Sequence, residues 1–403
     1  MEIGACGYFF SRQIDNREYL QDNFELLLRD GKLYRRQPLS FASQFTQVFS
    51  SKFLNKTGIR LTTTRHNHQV QDYDYVEDSL YTLVNEQGRT RRIQLYNQSQ
   101  FVFGRLKTVL GAIFFISLNK ATSIEPRLAL RYQLGAGHEI GAGFGMYSQT
   151  EDFASYRLFI NNQYPNINLG FVKARHYLLG YYGRWFENHQ VRLELYWQEL
   201  YNVPVEPGSS FSVLNLNELD RLRMLENGGT GRNAGIDFGL QRFTDDGLYY
   251  LLNASVYDSK YTGGDGVERS TAFDADYKVN MLLGKEWRVG KSDINFLGMN
   301  ATISALGGQR YTPIDLEASR AARETVLDES LAWSMQEQPL FVLDFTLTLR
   351  RNKPGKSGIW AFQIKNLLQN ALPEYREYDS LTDAEVTQKG AALLPIISYK
   401  LEF

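Results

Sequence analysis

The sequence PIISYKLEF at residues 395–403 decides the fold class. Polar side chains stand between apolar ones that recur at every second position, namely Ile397, Tyr399, Leu401 and Phe403. Successive side chains of an extended strand point to opposite faces of the sheet. The stretch therefore predicts a β-strand with one apolar face and one polar face.

The same two-residue period recurs upstream, in stretches whose polar face carries full charges: residues 128–132, 191–198, 343–350 and 360–365. Carried back through the chain, the pattern predicts about 16 strands, each near the length of about 9–11 residues that a tilted strand needs to cross a membrane. These strands are 17–29, 41–51, 57–67, 91–103, 107–117, 125–133, 138–148, 172–183, 189–201, 232–242, 247–257, 275–288, 292–305, 339–350, 357–368 and 391–403.

Alternation alone is compatible with a soluble sandwich, whose apolar faces point inward, and with a membrane barrel, whose apolar faces point outward. The lengths of the connections distinguish the two. Short turns at 134–137, 184–187, 244–246, 289–291 and 351–356 alternate with long connections at 68–90, 149–171, 202–231, 258–274, 306–338 and 369–390. A barrel of the outer-membrane kind has this asymmetry, with short periplasmic turns and long extracellular loops. The sequence thus predicts an all-β fold, an antiparallel transmembrane β-barrel formed by residues 1–403 as a single domain.

The composition excludes several classes of protein. The 403 residues include 25 Tyr, 25 Phe and 5 Trp, and this aromatic content argues against disorder. The 44 basic and 45 acidic side chains nearly cancel, so we expect no nucleic-acid partner. Cys6 is the single cysteine, which excludes an intrachain disulfide and a multi-cysteine metal site.

Two apolar stretches are too short to be targeting or spanning helices. The run VLGAIFFISL at residues 109–118 falls short of the about 20 apolar residues of a membrane helix. The N-terminal sequence MEIGACGYFF lacks a basic segment followed by a long apolar run, so we expect no signal peptide in this chain.

Tryptophans give an independent indication. Trp185, Trp287 and Trp360 all lie near predicted short turns, where a periplasmic aromatic girdle belongs. Trp197 lies toward the other end of its strand, and Trp333 lies in a long loop. The alternative is that aromatic residues simply favour strands.

Charged residues on the polar faces are the candidates for lumen-lining residues: Arg131, Arg192, Glu194, Asp344, Lys365 and Lys400. Rings of charge can select the solutes that pass through a pore. Charges on one face of a sheet can equally well pair across strands, and for any single residue we favour this structural interpretation.

The motifs that suggest chemistry have ordinary explanations. The glycines of residues 229–235 resemble a dinucleotide fingerprint but lead into a strand, and residues 263–268 lack the acidic spacing of a calcium loop. His66 and His68 share a strand face without an evident third ligand. We therefore expect no cofactor and no metal site.

No nucleophile and base stand in a recognisable catalytic motif, since His138, His176 and His189 are scattered. We expect a protein that is not an enzyme and has no catalytic residues. Residues 217–227 and 315–329 have helical spacing, and we expect two short helices in the long loops.

The last strand resembles the terminal strand of outer-membrane barrels, with an aromatic residue at the end (Phe403) and another at the fifth position from the end (Tyr399). The resemblance implies that the barrel-assembly machinery reads these two residues and that outer-membrane lipid surrounds the barrel.

The chain also resembles the C-terminal barrel of TonB-dependent receptors of the Bacteroidota type. The matching segments are SIEPRLALRY (123–132), ARHYLLGY (174–181), NVPVEPGSSFSVLN (202–215), GTGRNAGIDFGLQRF (229–243), YDSKYTGGDGVERSTAFDADYKVNMLLGKEW (257–287), GGQRYTPID (307–315) and IKNLLQN (364–370). The resemblance implies TonB-coupled uptake of a scarce solute, such as an iron chelate, a vitamin or a glycan, through a plugged 22-stranded barrel of the outer membrane.

The chain departs from that family in lacking a signal peptide, room for a plug domain and a candidate TonB box, and in having about six fewer strands. We expect an N-terminally truncated barrel that would engage the TonB complex only if the missing plug were supplied. Its long loops at 149–171, 202–231, 258–274 and 306–338 would recognise the solute. The alternatives are a self-standing porin-like diffusion channel and a soluble all-β module that binds glycans.

Overall fold

The computed structural model describes residues 2–7, 10–19, 26–74, 79–117, 121–160, 162–186, 188–216, 223–242, 246–290, 294–390 and 392–403. The strands are β1 (Glu2–Gly7), β2 (Phe10–Tyr19), β3 (Leu26–Ser50), β4 (Phe53–Asp74), β5 (Ser79–Phe103), β6 (Leu106–Ser117), β7 (Thr122–Gly135), β8 (His138–Gln149), β9 (Val172–Trp185), β10 (His189–Val205), β11 (Glu226–Arg242), β12 (Leu248–Thr262), β13 (Glu268–Ser270), β14 (Tyr277–Val289), β15 (Asn295–Leu306), β16 (Arg310–Tyr311), β17 (Met335–Gln336), β18 (Leu340–Lys353), β19 (Lys356–Lys365), β20 (Leu372–Asp379), β21 (Ala384–Gly390) and β22 (Leu394–Glu402). The α-helices are α1 (Phe153–Tyr156) and α2 (Leu316–Ala322), and two 3-10 helices span Val213–Asn215 and Glu329–Leu331.

The main sheet is an antiparallel meander in which each long strand pairs with the next one along the chain, from β3 to β22. β1 and β2 follow one another along the free edge of β3, with Glu2 opposite Gln44 and Phe10 opposite Arg36. The short β13 shares the β12 edge with β14. With β1 and β2 counted as one position, and β13 and β14 as another, the described sheet is 16 strands wide, as the sequence predicts.

One end of the sheet carries short turns and the other carries long connections. We call them the short-turn end and the long-loop end. At the short-turn end, Gly137 and Gly355 hold φ angles of 80° and 76°, which glycine adopts without steric cost. The long-loop end carries the connections between β8 and β9, β10 and β11, β15 and β18, and β19 and β22. The predicted alternation of short and long connections holds from β7 to β22.

The predicted boundaries are wrong in the first quarter of the chain. β3 continues through the break that we expected before residue 41. The predicted loop at 68–90 is mostly strand, because β4 extends to Asp74 and β5 begins at Ser79. In this region both faces of the strands are polar, as in the run of Thr62, Thr63 and Thr64, so the alternation that marks a strand is lost.

Of the two predicted loop helices, the second is present. α2 begins after Asp315, whose carboxylate accepts a hydrogen bond from the Ala318 backbone nitrogen at 2.9 Å and so caps the helix. Residues 217–222 of the first predicted helix lie outside the described residues. The end of the first predicted helix is wrong, because residues 226 and 227 belong to β11.

The apolar face of the sheet is the exposed one. On β10, Leu193, Leu195 and Trp197 are 40%, 41% and 40% exposed, whereas Glu194 and Tyr196 between them are half-buried. We call the face of Leu193 the outer face and the face of Glu194 the inner face. The strand registers carry this division across the sheet, so that Leu347, Phe362, Ile397 and Leu401 are outer-face residues and are exposed as well.

A soluble sandwich would bury these apolar side chains between two sheets. Here the buried apolar cluster lies at the long-loop end, where it is formed by Tyr156, Leu169, Val203, Val213 and Leu225. Among the described residues, no helix has the length and apolar character needed to cross a membrane.

A charge on the outer face should cost far more than a charge on the inner face. Leu347 lies six residues from the end of β18 at the short-turn end, near the middle of the expected apolar band, and its neighbour Thr346 lies on the inner face. In folding into lipid vesicles followed by denaturant titration, we expect Leu347→Arg to lower the free energy of unfolding by about 2–4 kcal/mol. The matched variant Thr346→Arg should change it by less than about 1 kcal/mol. Equal effects of the two variants would contradict the assignment of the faces.

Candidate functional site

The predicted lumen charges lie on the inner face, and the structure pairs them with opposite charges. Lys365 Nζ lies 2.8 Å from Asp344 Oδ2, and the other Asp344 oxygen accepts a hydrogen bond from the Asn366 backbone nitrogen at 2.8 Å. Arg131 Nη1 lies 2.9 Å from Glu139 Oε1, on neighbouring strands. The positions agree with lumen-lining residues, but a role in selecting solutes remains a prediction.

The remaining predicted charges pair along their own strands. Arg192 Nε lies 3.8 Å from Glu194 Oε2, and Glu194 also accepts a hydrogen bond from the Tyr182 hydroxyl at 2.6 Å. Lys400 Nζ lies 2.6 Å from Glu402 Oε1 on β22. Each of these cations therefore has a nearby carboxylate, but on its own strand, whereas the structural interpretation of the sequence expects pairing across strands.

The three predicted girdle tryptophans lie on the outer face near the short-turn end. Trp185, Trp287 and Trp360 are 49%, 42% and 51% exposed. Trp360 packs on the Tyr399 ring with centroids 4.5 Å apart, which joins the girdle to the last strand. Phe403 ends the chain beside it and is exposed. Recognition of Tyr399 and Phe403 by the assembly machinery remains a prediction.

Sequence reasoning missed a second aromatic group at the same level of the outer face. Phe49, Phe53, Phe101 and Phe103 stack in series across β3, β4 and β5, with centroid distances of 4.6 Å, 4.7 Å and 6.0 Å. Their common signal is a phenylalanine within three residues of a short turn, whereas the sequence analysis considered only tryptophans at these positions.

A recess opens in the inner face over β9–β12, below the long loops. Its volume is about 530 Å³, and the side chains around it include Tyr196, Gln198, Asn233, Tyr257 and Phe273. Gly235 makes room for the Tyr196 side chain, because a Cβ atom on Gly235 would lie 2.4 Å from the Tyr196 hydroxyl. We call this cavity the tyrosine recess.

A second recess of about 440 Å³ adjoins the first and shares Leu178, Tyr196 and Gln198 with it. It follows the inner face of β5–β9, where it is lined by Tyr96, Arg127, Tyr147 and His176 among others. The lining residues come from six strands, β5 to β10, so no local sequence motif identifies them. Together the recesses form one concave aromatic and polar surface on the inner face.

The connection between β8 and β9 crosses the inner face. The Phe153 ring packs against His66 and His68, with centroid distances of 4.4 Å and 5.3 Å. Asp152 forms an ion pair with Arg36, and the Tyr164 hydroxyl donates to Glu86 Oε1 at 2.6 Å. Because β6 and β7 lie between β5 and β8, this connection must reach over them to make these contacts.

The structure places the remaining candidate motifs in ordinary roles. Asp265 receives two hydrogen bonds from Arg269, at 3.0 Å and 2.7 Å, which hold the pKa of its carboxyl below the usual value and leave it a poor calcium ligand. Residues 229–235 lie within β11. Within the described ranges, no group of three or more His, Cys, Asp or Glu side chains is arranged to hold a metal.

Two of the long connections are joined by charged contacts. The hairpin of β20 and β21 presents Asp383, whose two carboxylate oxygens accept hydrogen bonds from Arg320 Nε in α2 at 2.8 Å and 3.1 Å. Arg376 of the same hairpin lies between Glu337 and Glu385 and stacks on the Tyr311 ring at 4.1 Å. The two connections therefore form one surface at the long-loop end.

Solved outer-membrane receptors have the same architecture. The ferric preacinetobactin receptor BauA from Acinetobacter baumannii aligns with a TM-score of 0.61 and 13% identity, over 93% of this chain and 55% of BauA. FpvA from P. aeruginosa, solved with a pyoverdine–iron complex, aligns with a TM-score of 0.64 and 10% identity over 98% of this chain and 52% of FpvA. The FrpB iron transporter from Neisseria meningitidis aligns with a TM-score of 0.61 and 12% identity over 99% and 59%.

The fold is that of an outer-membrane receptor barrel. These structural neighbours are TonB-dependent receptors, and the chain spans a little more than half the length of each. No protein-family model and no curated protein sequence matches the chain.

The contact between α2 and the hairpin should weaken in acid. Hydrogen bonds from Arg320 lower the pKa of Asp383, so the contact contributes fully above the ordinary pKa of aspartate and is lost as the pH falls through the lowered value. In hydrogen exchange we expect the protection factors of residues 384–390 to fall between pH 6 and pH 3. Asp383→Asn should remove most of this pH dependence, and the control Glu377→Gln should keep it. Unchanged protection at pH 3 in the unmodified protein would show that the ion pair does not hold the hairpin.

Proposed function

We propose that the chain is the barrel of an outer-membrane receptor and transporter of the TonB-dependent class, of the Bacteroidota type, and that residues 1–403 form a single domain. The observation that carries the proposal is the arrangement of the two faces. Exposed apolar side chains ring the outer face, and the polar inner face is indented by two aromatic recesses. A lipid-embedded barrel with a wet interior has this arrangement.

The proposed task is to capture a scarce solute at the long-loop end and to hold it in the recesses. The structural neighbours support the transporter class, since BauA is a ferric preacinetobactin receptor and FrpB an iron transporter. An iron chelate, a vitamin or a glycan is a candidate solute for this chain. Coupling to the TonB complex would need a plug domain in addition to this barrel, and we propose no enzymatic activity.

Two properties of the proposed barrel can be measured on the purified chain. We expect it to need detergent for solubility and to migrate faster on gels before heating than after, because a closed barrel resists unfolding by sodium dodecyl sulfate at room temperature. Trp360→Ala removes a girdle residue and its contact with Tyr399, and should reduce the yield of the fast-migrating form. Ala361→Ser on the inner face of the same strand serves as the control. A monodisperse monomer in the absence of detergent would refute the membrane location.

A porin-like diffusion channel is the second candidate, and the crossing connection between β8 and β9 favours it. A segment held by Phe153 and Asp152 against the long-loop ends of β3 and β4 would narrow the entrance in the manner of a constriction. A diffusion channel needs such a constriction to limit the size of the solutes that pass.

Planar-bilayer recordings distinguish the two candidates. If the chain is a diffusion channel, it should show steady ohmic conductance, and Phe153→Ala should raise that conductance by loosening the constriction. Phe159→Ala changes an exposed side chain of the same connection and should leave the conductance unchanged. Silence of all three proteins, with barrel assembly verified by gel migration, would exclude the diffusion channel and favour the receptor.

A further inference from the structure

The polar groups of the tyrosine recess form one hydrogen-bonded row across three strands and a loop. The Thr271 hydroxyl donates to the Ser259 hydroxyl at 2.8 Å, which in turn donates to Asn233 Oδ1 at 2.6 Å. The Asn233 amide nitrogen donates to Gln198 Oε1 at 3.2 Å. Within the described residues the Gln198 amide nitrogen has no acceptor, so the row ends in an unused donor that lines the recess.

Aromatic rings flank this row. Tyr196 and Tyr257 come from the inner faces of β10 and β12, and Phe273 comes from the connection that follows β13. The Tyr257 hydroxyl donates a hydrogen bond to the Phe273 carbonyl oxygen at 3.3 Å, which holds the Tyr257 ring in place beside the recess. Rings combined with amides and hydroxyls suit a ligand that has both apolar and hydrogen-bonding surfaces.

The cations of both recesses are already paired. Lys260 Nζ lies 2.9 Å from Asp258 Oδ1 and 3.1 Å from Asp274 Oδ2. Arg127 Nη2 lies 3.0 Å from Glu125 Oε2, and the Arg127 guanidinium stacks over the Tyr147 ring. An anionic solute would have to take these cations from their carboxylates and leave the carboxylates unpaired, at a substantial cost.

The remaining charge is negative. Asp237 lines the tyrosine recess and has no ion-pair partner within the part of the chain that the structure describes. A free carboxylate repels anions and accepts hydrogen bonds from hydroxyl groups. The electrostatics of the recess are therefore opposite to those required by a negatively charged metal chelate.

We propose that the tyrosine recess binds a neutral, hydroxyl-rich solute, namely an oligosaccharide, in contrast to the ferric ligands named for the structural neighbours. This proposal rests on the proposed receptor function and names its substrate class. The apolar faces of sugar rings lie against Tyr196 and Phe273, and the sugar hydroxyls exchange hydrogen bonds with Gln198 and Asp237. Because a hydroxyl both donates and accepts, it satisfies an amide and a carboxylate alike.

Calorimetric titration of the purified barrel in detergent tests the substrate class. The neutral probes are a panel of linear and branched neutral hexasaccharides, and hexagalacturonate, ferric citrate and spermine are the charged probes. We expect at least one neutral probe to bind at least about tenfold more tightly than every charged probe. Tighter binding of ferric citrate or hexagalacturonate would overturn the proposal, and tighter binding of spermine would assign the recess to an amine cation through Asp237.

Substitutions of recess residues show whether the neutral probe binds in the tyrosine recess. Tyr196→Ala and Asn233→Ala should each lower the affinity for the best neutral probe by at least about tenfold, which is the loss expected when a central contact is removed. Leu195→Ala on the outer face of the same strand should leave the affinity unchanged. Tyr196→Phe keeps the ring and should retain the affinity within a few-fold. It therefore shows whether the ring contributes to binding even if the alanine variant misfolds.

The test separates the two proposals. Binding of a charged probe that depends on Tyr196 would refute the neutral substrate and leave the receptor function standing. Absence of binding by every probe to a barrel with heat-modifiable migration would refute the receptor function at this recess. Neutral-probe binding that Tyr196→Ala and Asn233→Ala do not affect would place the solute elsewhere and overturn the inference.

Discussion

Backbone hydrogen bonds between neighbouring strands set a register that runs from β3 to β22, and that register decides which side chains share a face. In a hydrocarbon environment an unpaired backbone group costs several kcal/mol, so the ladder leaves little freedom to slip. A shift of one residue in any pair would send a leucine such as Leu193 inward and a charge such as Glu194 into lipid. The two-residue period of the sequence and the ladder of the structure thus agree wherever one face of a strand is apolar.

The strand register also determines which residue types line the inner face. Since the outer positions are taken by apolar residues, the charges, amides and tyrosines accumulate inside, where they must satisfy one another. Asp344 with Lys365 and Arg131 with Glu139 do so directly. In the tyrosine recess this mutual satisfaction is incomplete, because the Gln198 amide nitrogen has no acceptor and Asp237 has no ion-pair partner within the described residues. Unused hydrogen-bonding groups in a recess beside paired charges favour binding over simple passage.

The sequence predicts the strands best where one face is apolar, as at Leu343–Arg350, because the period is then strong over eight residues. It fails near Thr62–Thr64, where strands continue with both faces polar. It also predicts that Asp344 and Lys365 share the interior, but their pairing depends on the register between β18 and β19, which no local pattern records. The second recess is still harder to predict from the sequence, because its residues Tyr96 and Tyr196 are separated by four intervening strands. Nothing in the sequence around either tyrosine distinguishes it from the other tyrosines.

The length of β3, β4 and β5 makes the rim of the molecule uneven. β4 has 22 residues and β14 has 13. At about 3.3 Å per residue and a tilt of about 40°, β4 would rise roughly 20 Å higher than β14 from the short-turn end. The long-loop rim of the barrel would then be higher at β4 than at β14. A bulky solute would meet the tall strands β3–β5 on one side and the long connections that follow β12 and β15 on the other, so the two sides of the entrance differ in the kind of structure that borders them.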